Sequence, residues 1–409
     1  MITLIGVKMT ERNYKYRGYG TRIFSGNEAL GNLRAEVERL EAKKVFIICG
    51  QSIAKEEKLL ERVKKELGTR FAGIFDGLQT DSPIPIVEEA ARAVENASAD
   101  LIIPVGGGTA AVSARAIAMR IGEQKTFHEM ATKYPPNQLP VSPKLFAPKI
   151  PIIQILTLPT TAMLRSGAAI KDMDELRRLE LYDPKTRAIS MIWDTEAVMT
   201  ATPEVFLNTC MGFLSGSIRN LAQPSPIAIA HADHVEVFHL AKKYVPQIIS
   251  SPTDPEPRMQ LMAAGYMINR SSEYDSTDQP RPNFSILSGA GGSINTRYKC
   301  GQGPCGAVLG PASLRYSLPA AESDLAIAAR AVGVVDDTKS DTEAAEAVIT
   351  EIENFYKKIN QPSRLRDLGV PKKDIPRIAE DTMLHFFIRH DTRTSNHQVD
   401  LEKMLNEIW

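Results

Sequence analysis

Apolar residues recur along the first half of the chain with two alternating periods. Leu30, Leu33, Val37 and Leu40 fall at helical spacing, and Val45-Phe-Ile-Ile48 is a short apolar run of strand type. Ile53, Leu60, Val63 and Leu67 share one face of a second helix; Phe71 to Phe75 reads as a strand and Pro85 to Ala97 as a helix. Leu101-Ile-Ile-Pro-Val105 is a further strand that runs into three glycines, and the apolar runs Ile152 to Leu158 and Ala188 to Trp193 follow. Strands alternating with helices of roughly 10–15 residues predict a parallel sheet covered on both faces. Between them, Lys133 to Pro151 is rich in proline and reads as an ordered surface excursion. From about Pro203 the pattern is helix after helix: Ile227 to Tyr244, Arg258 to Ser271, Ser323 to Val332 and Asp341 to Ile359. The expected organisation is an α/β domain over 1–197 and an all-helical domain over 198–409. Loop signals cluster at Ser250 to Pro257 and at the glycine-rich stretch Gly289 to Pro311.

Composition narrows the function classes. The chain has 409 residues, 43% of them hydrophobic, enough for two buried cores. Lys plus Arg and Asp plus Glu number 49 each, so the net basic footprint of a sequence-independent nucleic-acid binder is missing. The N-terminus carries no signal-type apolar run, and no stretch of about 18 uninterrupted apolar residues occurs, so no membrane partner is expected. Cys49, Cys210, Cys300 and Cys305 include no C-x-x-C pair, which reads as a reduced, cytoplasmic protein. Cys300 and Cys305 are spaced for neither a zinc knuckle nor a redox pair.

The sharpest local signal is Gly106-Gly107-Gly108-Thr109, directly after a buried strand and before the helix Ala110 to Arg120. Glycines at such a corner let the backbone approach a diphosphate, and a helix N-terminus supplies unpaired N–H groups and a positive dipole. The alternative is a glycine-rich turn without a ligand, and the pattern is not G-x-G-x-x-G. Thr160 and Thr161 follow another sheet strand and should lie at the same carboxyl edge, where their hydroxyls can bond phosphate; the alternative is a cap or turn.

Together these segments resemble the iron-containing (group III) alcohol dehydrogenases, which share their architecture with dehydroquinate synthase. The resemblance runs through Phe24-Ser-Gly26, Cys49-Gly50, Gly106 to Thr109, Pro159-Thr-Thr-Ala162, Asp194 to Pro203 and Pro304-Cys-Gly306 to Pro311. It implies a Rossmann-like parallel-sheet domain plus an all-α C-terminal domain, a nicotinamide dinucleotide on the glycine corner with the Thr160–Thr161 segment alongside, and a homodimer. Gly50 stands where NAD-preferring members often carry an Asp for the adenine ribose; without it NADP is permitted as well as NAD. The alternative is that Gly50 only ends a strand.

The departures from the family pattern carry as much information. The family binds a catalytic divalent metal through one Asp and three His, two of them in T-G-M-D-A-L-x-H. Here that stretch is Thr209-Cys-Met-Gly212-Phe-Leu-Ser-Gly216. The third ligand lands near Gly291, the fourth is Cys305, and a neighbouring catalytic His falls near Asn295. One thiol does not replace four ligands, so no metal is expected. Maleylacetate reductases on this scaffold are regarded as metal-independent, although they keep histidines that this chain lacks. The nicotinamide-side pattern A-G-T-G-S-E becomes Ala162-Met-Leu-Arg165-Ser-Gly167, with bulkier Met163, Leu164 and Arg165. Candidate catalytic groups are Arg165 as a fixed cation, Asn295, and Cys305 as a nucleophile activated by Lys299, although a buried, inert Cys305 is the favoured alternative. Arg219, Arg297 and Lys299 are further cations, each equally readable as a surface charge. His231, Asp233, His234 and His239 read as surface residues of an outer helix, and His385 and His390 as possible acid–base groups. The leading expectation is a metal-independent NAD(P)-dependent oxidoreductase for a small carbonyl or alcohol, with an anionic substrate allowed. A non-redox lyase, isomerase or cyclase on the same scaffold is the alternative, and an inactive partner subunit the third.

Overall fold

The structure, a computed structural model, describes residues 18, 20–135, 141–174, 178–222, 227–271, 286–384 and 398–409. Six strands form one parallel sheet: β1 (Arg22–Gly26), β2 (Val45–Gly50), β3 (Phe71–Leu78), β4 (Leu101–Gly106), β5 (Ile153–Leu156) and β8 (Ser190–Asp194). Their order is β1-β8-β5-β4-β2-β3, and β6 (Gly167–Lys171) and β7 (Arg178–Tyr182) make a separate antiparallel pair. The central strands β4, β5 and β8 are buried at every position, which is why they appear in the sequence as unbroken apolar runs. Edge strand β1 has only exposed or half-exposed positions, and the β6–β7 pair alternates such positions with buried ones, so no apolar run announces them.

The helices α1 (Leu33–Arg39), α2 (Glu57–Leu67), α3 (Ile84–Asn96) and α4 (Gly108–Glu123) connect these strands. Leu33, Val37, Leu60 and Val63 pack with Val45, Ile47, Leu101, Ile103 and Val105 into one core. Asp194, fully buried at the end of β8, accepts from Leu30 N at 3.1 Å and Ala197 N at 3.3 Å, and Arg62 closes on it at 3.0 Å. The proline-rich excursion is partly interior: the side chain of Lys149 is fully buried and pairs with Glu123 at 2.7 Å and Asp183 at 3.1 Å.

The chain divides into two compact units, one holding Gly18–Thr202 and Pro252–Asn269, the other Pro203–Ser251 and Arg270–Trp409. The later helices are α5 (Pro203–Cys210), α6 (Gly212–Leu221), α7 (Ala228–Tyr244), α8 (Pro255–Ser271), α9 (Ile286–Tyr298), α10 (Gln302–Ala331), α11 (Asp341–Lys358), α12 (Ile375–Leu384) and α13 (Gln398–Glu407). Residues 252–269, most of α8, cluster with the sheet although they follow the change of character near residue 197.

Gly289 to Pro311, expected as a loop, is helical except at 299–301. Two of its glycines serve close packing. A Cβ on Gly303 would lie 2.5 Å from the backbone oxygen of Asn208 on α5, and one on Gly310 2.8 Å from Ser215 Oγ on α6. Helix α10 bends at Ala321, two residues after Pro319, whose ring removes a backbone donor. Among the described residues no helix is long and apolar enough to cross a membrane.

Candidate functional site

Strand order fixes where a ligand can sit in the sheet unit. From β2 the chain moves outward to β3, and from β4 it moves the other way to β5, so the connections diverge between neighbours β2 and β4. In open parallel sheets the crevice at the carboxyl ends of such a pair is the binding position. Gly50 ends β2 and Gly106 ends β4. Gly106 has φ +136°, a backbone shape that side chains rarely adopt, and it turns the chain into α4. Ala111 N is the first to bond back, to Gly107 O at 3.3 Å. The N–H groups of Gly108, Thr109 and Ala110 therefore head the helix without a carbonyl of their own helix to bond, and they lie at its positive end. Such a corner can take a phosphate.

Gly107 and Gly108 are required by close approach. An added Cβ would stand 2.7 Å from Leu158 Cδ1 and 2.8 Å from Thr160 Oγ1, respectively. Thr160 is thus brought against the glycine corner, and its Oγ1 accepts from Ala162 N at 3.1 Å. Thr160 is buried and Thr161 exposed. Gly50 does more than end a strand: a Cβ there would sit 3.1 Å from the carbonyl oxygen of Leu78.

A residue missed in the sequence holds this loop. Arg115, fully buried on α4, donates from Nε to Gly167 O and from Nη1 to Ala162 O, both at 2.8 Å. The one cation among Ala110, Ala111, Ala114, Ala116 and Ala118 was the available signal. Met163 and Leu164 are buried within the sheet unit, and Met163 Cε lies 3.1 Å from where a Gly265 Cβ would be. Met163 thus packs against α8. Leu164 N donates to Asn269 Oδ1 at 3.3 Å. Arg165 is exposed and donates from Nε to Thr161 O at 2.9 Å, bracing the same loop. At the same carboxyl edge a recess of about 440 Å³ opens beside β1 and β8, walled by Asn27, Trp193, Thr195, Glu256 and Gln260.

In the helical unit, Gly212 opens α6 and Gly216 lies one turn on; a Cβ at either would meet nothing within 4 Å. Gly291 faces Cys305, their Cβ positions 3.9 Å apart. Among the described residues no group of three or more His, Cys, Asp or Glu is gathered so that it could hold a metal ion. Gly212, Gly216 and Gly291 have no side-chain donor, so at these four positions Cys305 offers a single thiol.

Other candidates have structural employment. Asn295 Oδ1 accepts from Gly301 N at 2.9 Å, fastening the turn between α9 and α10. Arg297 pairs with Asp381, Nε to Oδ2 3.1 Å. Cys305 is buried, and burial together with Cys300 pushes its thiol pKa up, opposite to the activation expected from Lys299. The two sulfurs, expected to be unrelated, lie 3.3 Å apart. Asp233 and His234 on α7 are buried, which corrects their reading as surface residues; Asp233 pairs with Arg270. His385 and His390 lie outside the described residues.

Comparison with known proteins agrees with this layout. Residues 20–195 match the family described as iron-containing alcohol dehydrogenase, and residues 292–409 match the C-terminal domain of the Fe-containing alcohol dehydrogenase family. Lactaldehyde reductase of Escherichia coli (strain K12) is 23% identical over 362 residues, 87% of this chain and 89% of that protein. The solved structure of a 1,3-propanediol oxidoreductase superposes with a TM-score of 0.84 at 18% identity, covering 97% of this chain and 100% of that one. That of sulfoacetaldehyde reductase from Bifidobacterium kashiwanohense, in complex with NAD+, gives 0.81 at 14% identity, covering 97% and 98%. A parallel sheet with its glycine corner at the switch point, a helical unit, and matches at both ends of the chain place this protein in the iron-containing alcohol dehydrogenase superfamily of oxidoreductases.

Proposed function

We propose that the chain is a metal-independent oxidoreductase that binds NAD or NADP and acts on a small carbonyl or alcohol compound. The observation that carries this reading is the Gly106–Thr109 corner beside Gly50, with Thr160 held against it. In this reading the N–H groups of Gly108, Thr109 and Ala110 bind the pyrophosphate, and the Thr160–Thr161 loop, braced by Arg115, lies along the coenzyme. When bound, the nicotinamide supplies or accepts the hydride. Gly50 adds no carboxylate against a 2′-phosphate, so both coenzymes are admitted. The NAD+ complex of sulfoacetaldehyde reductase and the likeness to lactaldehyde reductase support a small aldehyde as the oxidised substrate.

No step in this proposal passes through a metal, because Gly212, Gly216 and Gly291 offer no donor and Cys305 alone is a single thiol. Polarisation of the substrate oxygen then falls to hydrogen-bond donors or cations, with exposed Arg165 the candidate nearest the coenzyme loop in sequence. The same reading expects a cytoplasmic homodimer with no nucleic-acid or membrane partner.

The test is absorbance at the nicotinamide band with chelator-treated protein and a panel of small aldehydes and alcohols. The proposal expects turnover that is unchanged by chelation. Activity that returns only with added iron or zinc would overturn metal independence. Turnover of a panel compound without net change in nicotinamide would favour the non-redox reading, which the loss of the family histidines also favours.

A further inference from the structure

The two sulfurs brought together at the α9–α10 corner have no part in the proposed function. Cys300 lies in the three-residue turn 299–301, and Cys305 in the first turn of α10. Lys299 has φ +51° and Gly301 φ +91°, so the chain reverses through left-handed backbone on both sides of Cys300. Asn295 fixes that reversal from both ends: its carbonyl accepts from Lys299 N at 3.0 Å and its side chain from Gly301 N at 2.9 Å. Cys305 N bonds Gly301 O at 3.3 Å. The result is an Sγ–Sγ separation of 3.3 Å with Cys300 partly exposed and Cys305 2% exposed. A disulfide needs about 2.0 Å, a closure within reach of side-chain rotation.

We propose that Cys300 and Cys305 form a reversible oxidation site, in which a peroxide converts the pair into an intramolecular disulfide. Peroxide transfers one oxygen to Cys300 Sγ, giving a sulfenic acid and one water. Cys305 Sγ then bonds Cys300 Sγ as the S–O bond breaks, and the departing hydroxide takes the Cys305 proton to leave as a second water. The two thiols together lose two electrons and the peroxide gains them. A dithiol reductant reverses the change. Cys300 reacts first because solvent reaches it, while burial keeps Cys305 protonated and slow toward an oxidant from outside.

Peptide mapping of the wild-type protein tests this without coenzyme or substrate, so its failure leaves the proposed function standing. Native protein is treated with hydrogen peroxide, denatured, alkylated with N-ethylmaleimide and digested with trypsin. Cleavage after Lys299 and Arg315 leaves both cysteines on one peptide. The expected result is that this peptide carries no maleimide and is lighter by two hydrogens than its reduced form. Treatment with dithiothreitol before alkylation should restore two maleimides. A Cys305→Ser variant should instead accumulate sulfinic acid at Cys300. Two maleimides after peroxide, or wild-type Cys300 present as sulfinic acid beside an alkylated Cys305, would overturn the proposal.

Discussion

His234 shows how a single buried side chain ties stability to pH. It lies on α7 at 4% exposure, and burial, reinforced by the charges of Arg219 and His231, pushes its pKa down to about 3. The unfolded chain binds a proton at an ordinary histidine pKa of about 6.5. Between those values the unfolded state takes up a proton that the folded state refuses, so stability is full above about pH 6.5 and falls as the pH drops through the window. Comparing denaturant unfolding of wild type and His234→Phe at pH 7.5 and 5.5 should show the wild type losing about 1.4 kcal/mol more than the variant. Equal losses would mean that His234 protonates as readily folded as unfolded. The sequence revealed this histidine but not its burial, because helical spacing alone does not say which face of α7 packs inward. For the same reason the burial of Arg115 is not legible in the sequence, nor is the turn that Asn295 fastens.

At the scale of elements, α4 does two jobs. Its first turn presents the N–H groups at the glycine corner, and two turns on Arg115 clamps Ala162 O and Gly167 O. Arg115→Met would leave two carbonyls without these bonds, at about 1–3 kcal/mol each. The expected outcome is a lower melting temperature together with roughly tenfold weaker coenzyme binding, since a change of about 1.4 kcal/mol is tenfold in affinity. Differential scanning fluorimetry and coenzyme titration check both. A destabilised variant that keeps wild-type affinity would show that the clamp serves folding alone. The central strands were legible in the sequence because burial on both faces writes them as apolar runs. Strand β1 and the β6–β7 pair were not, because their polar and apolar positions mix. The stretch Gly289 to Pro311 misled in the opposite direction: glycine there includes close helix packing, backbone to backbone at Gly303 on Asn208, and glycine content alone does not separate that from a loop.

For the whole molecule, family membership and architecture were readable from short segments in fixed order, since the strand-to-helix corners carry residues that backbone geometry demands. The chemistry was less readable, because glycine at 212, 216 and 291 carries no functional group from which a reaction can be read. In the proposed function a dinucleotide is held at the corner of β4 and α4 by a protein that needs no metal to hold it. Isothermal titration calorimetry of metal-depleted protein with NADH and NADPH, wild type beside Gly108→Val, tests that most directly. A valine there would meet Thr160 Oγ1 at the corner, the Cβ alone reaching 2.8 Å. The predicted result is saturable binding of at least one coenzyme by the wild type, with the variant folded and weakened by at least tenfold. Wild-type protein that binds neither coenzyme, or that binds only after iron or zinc is restored, would contradict it.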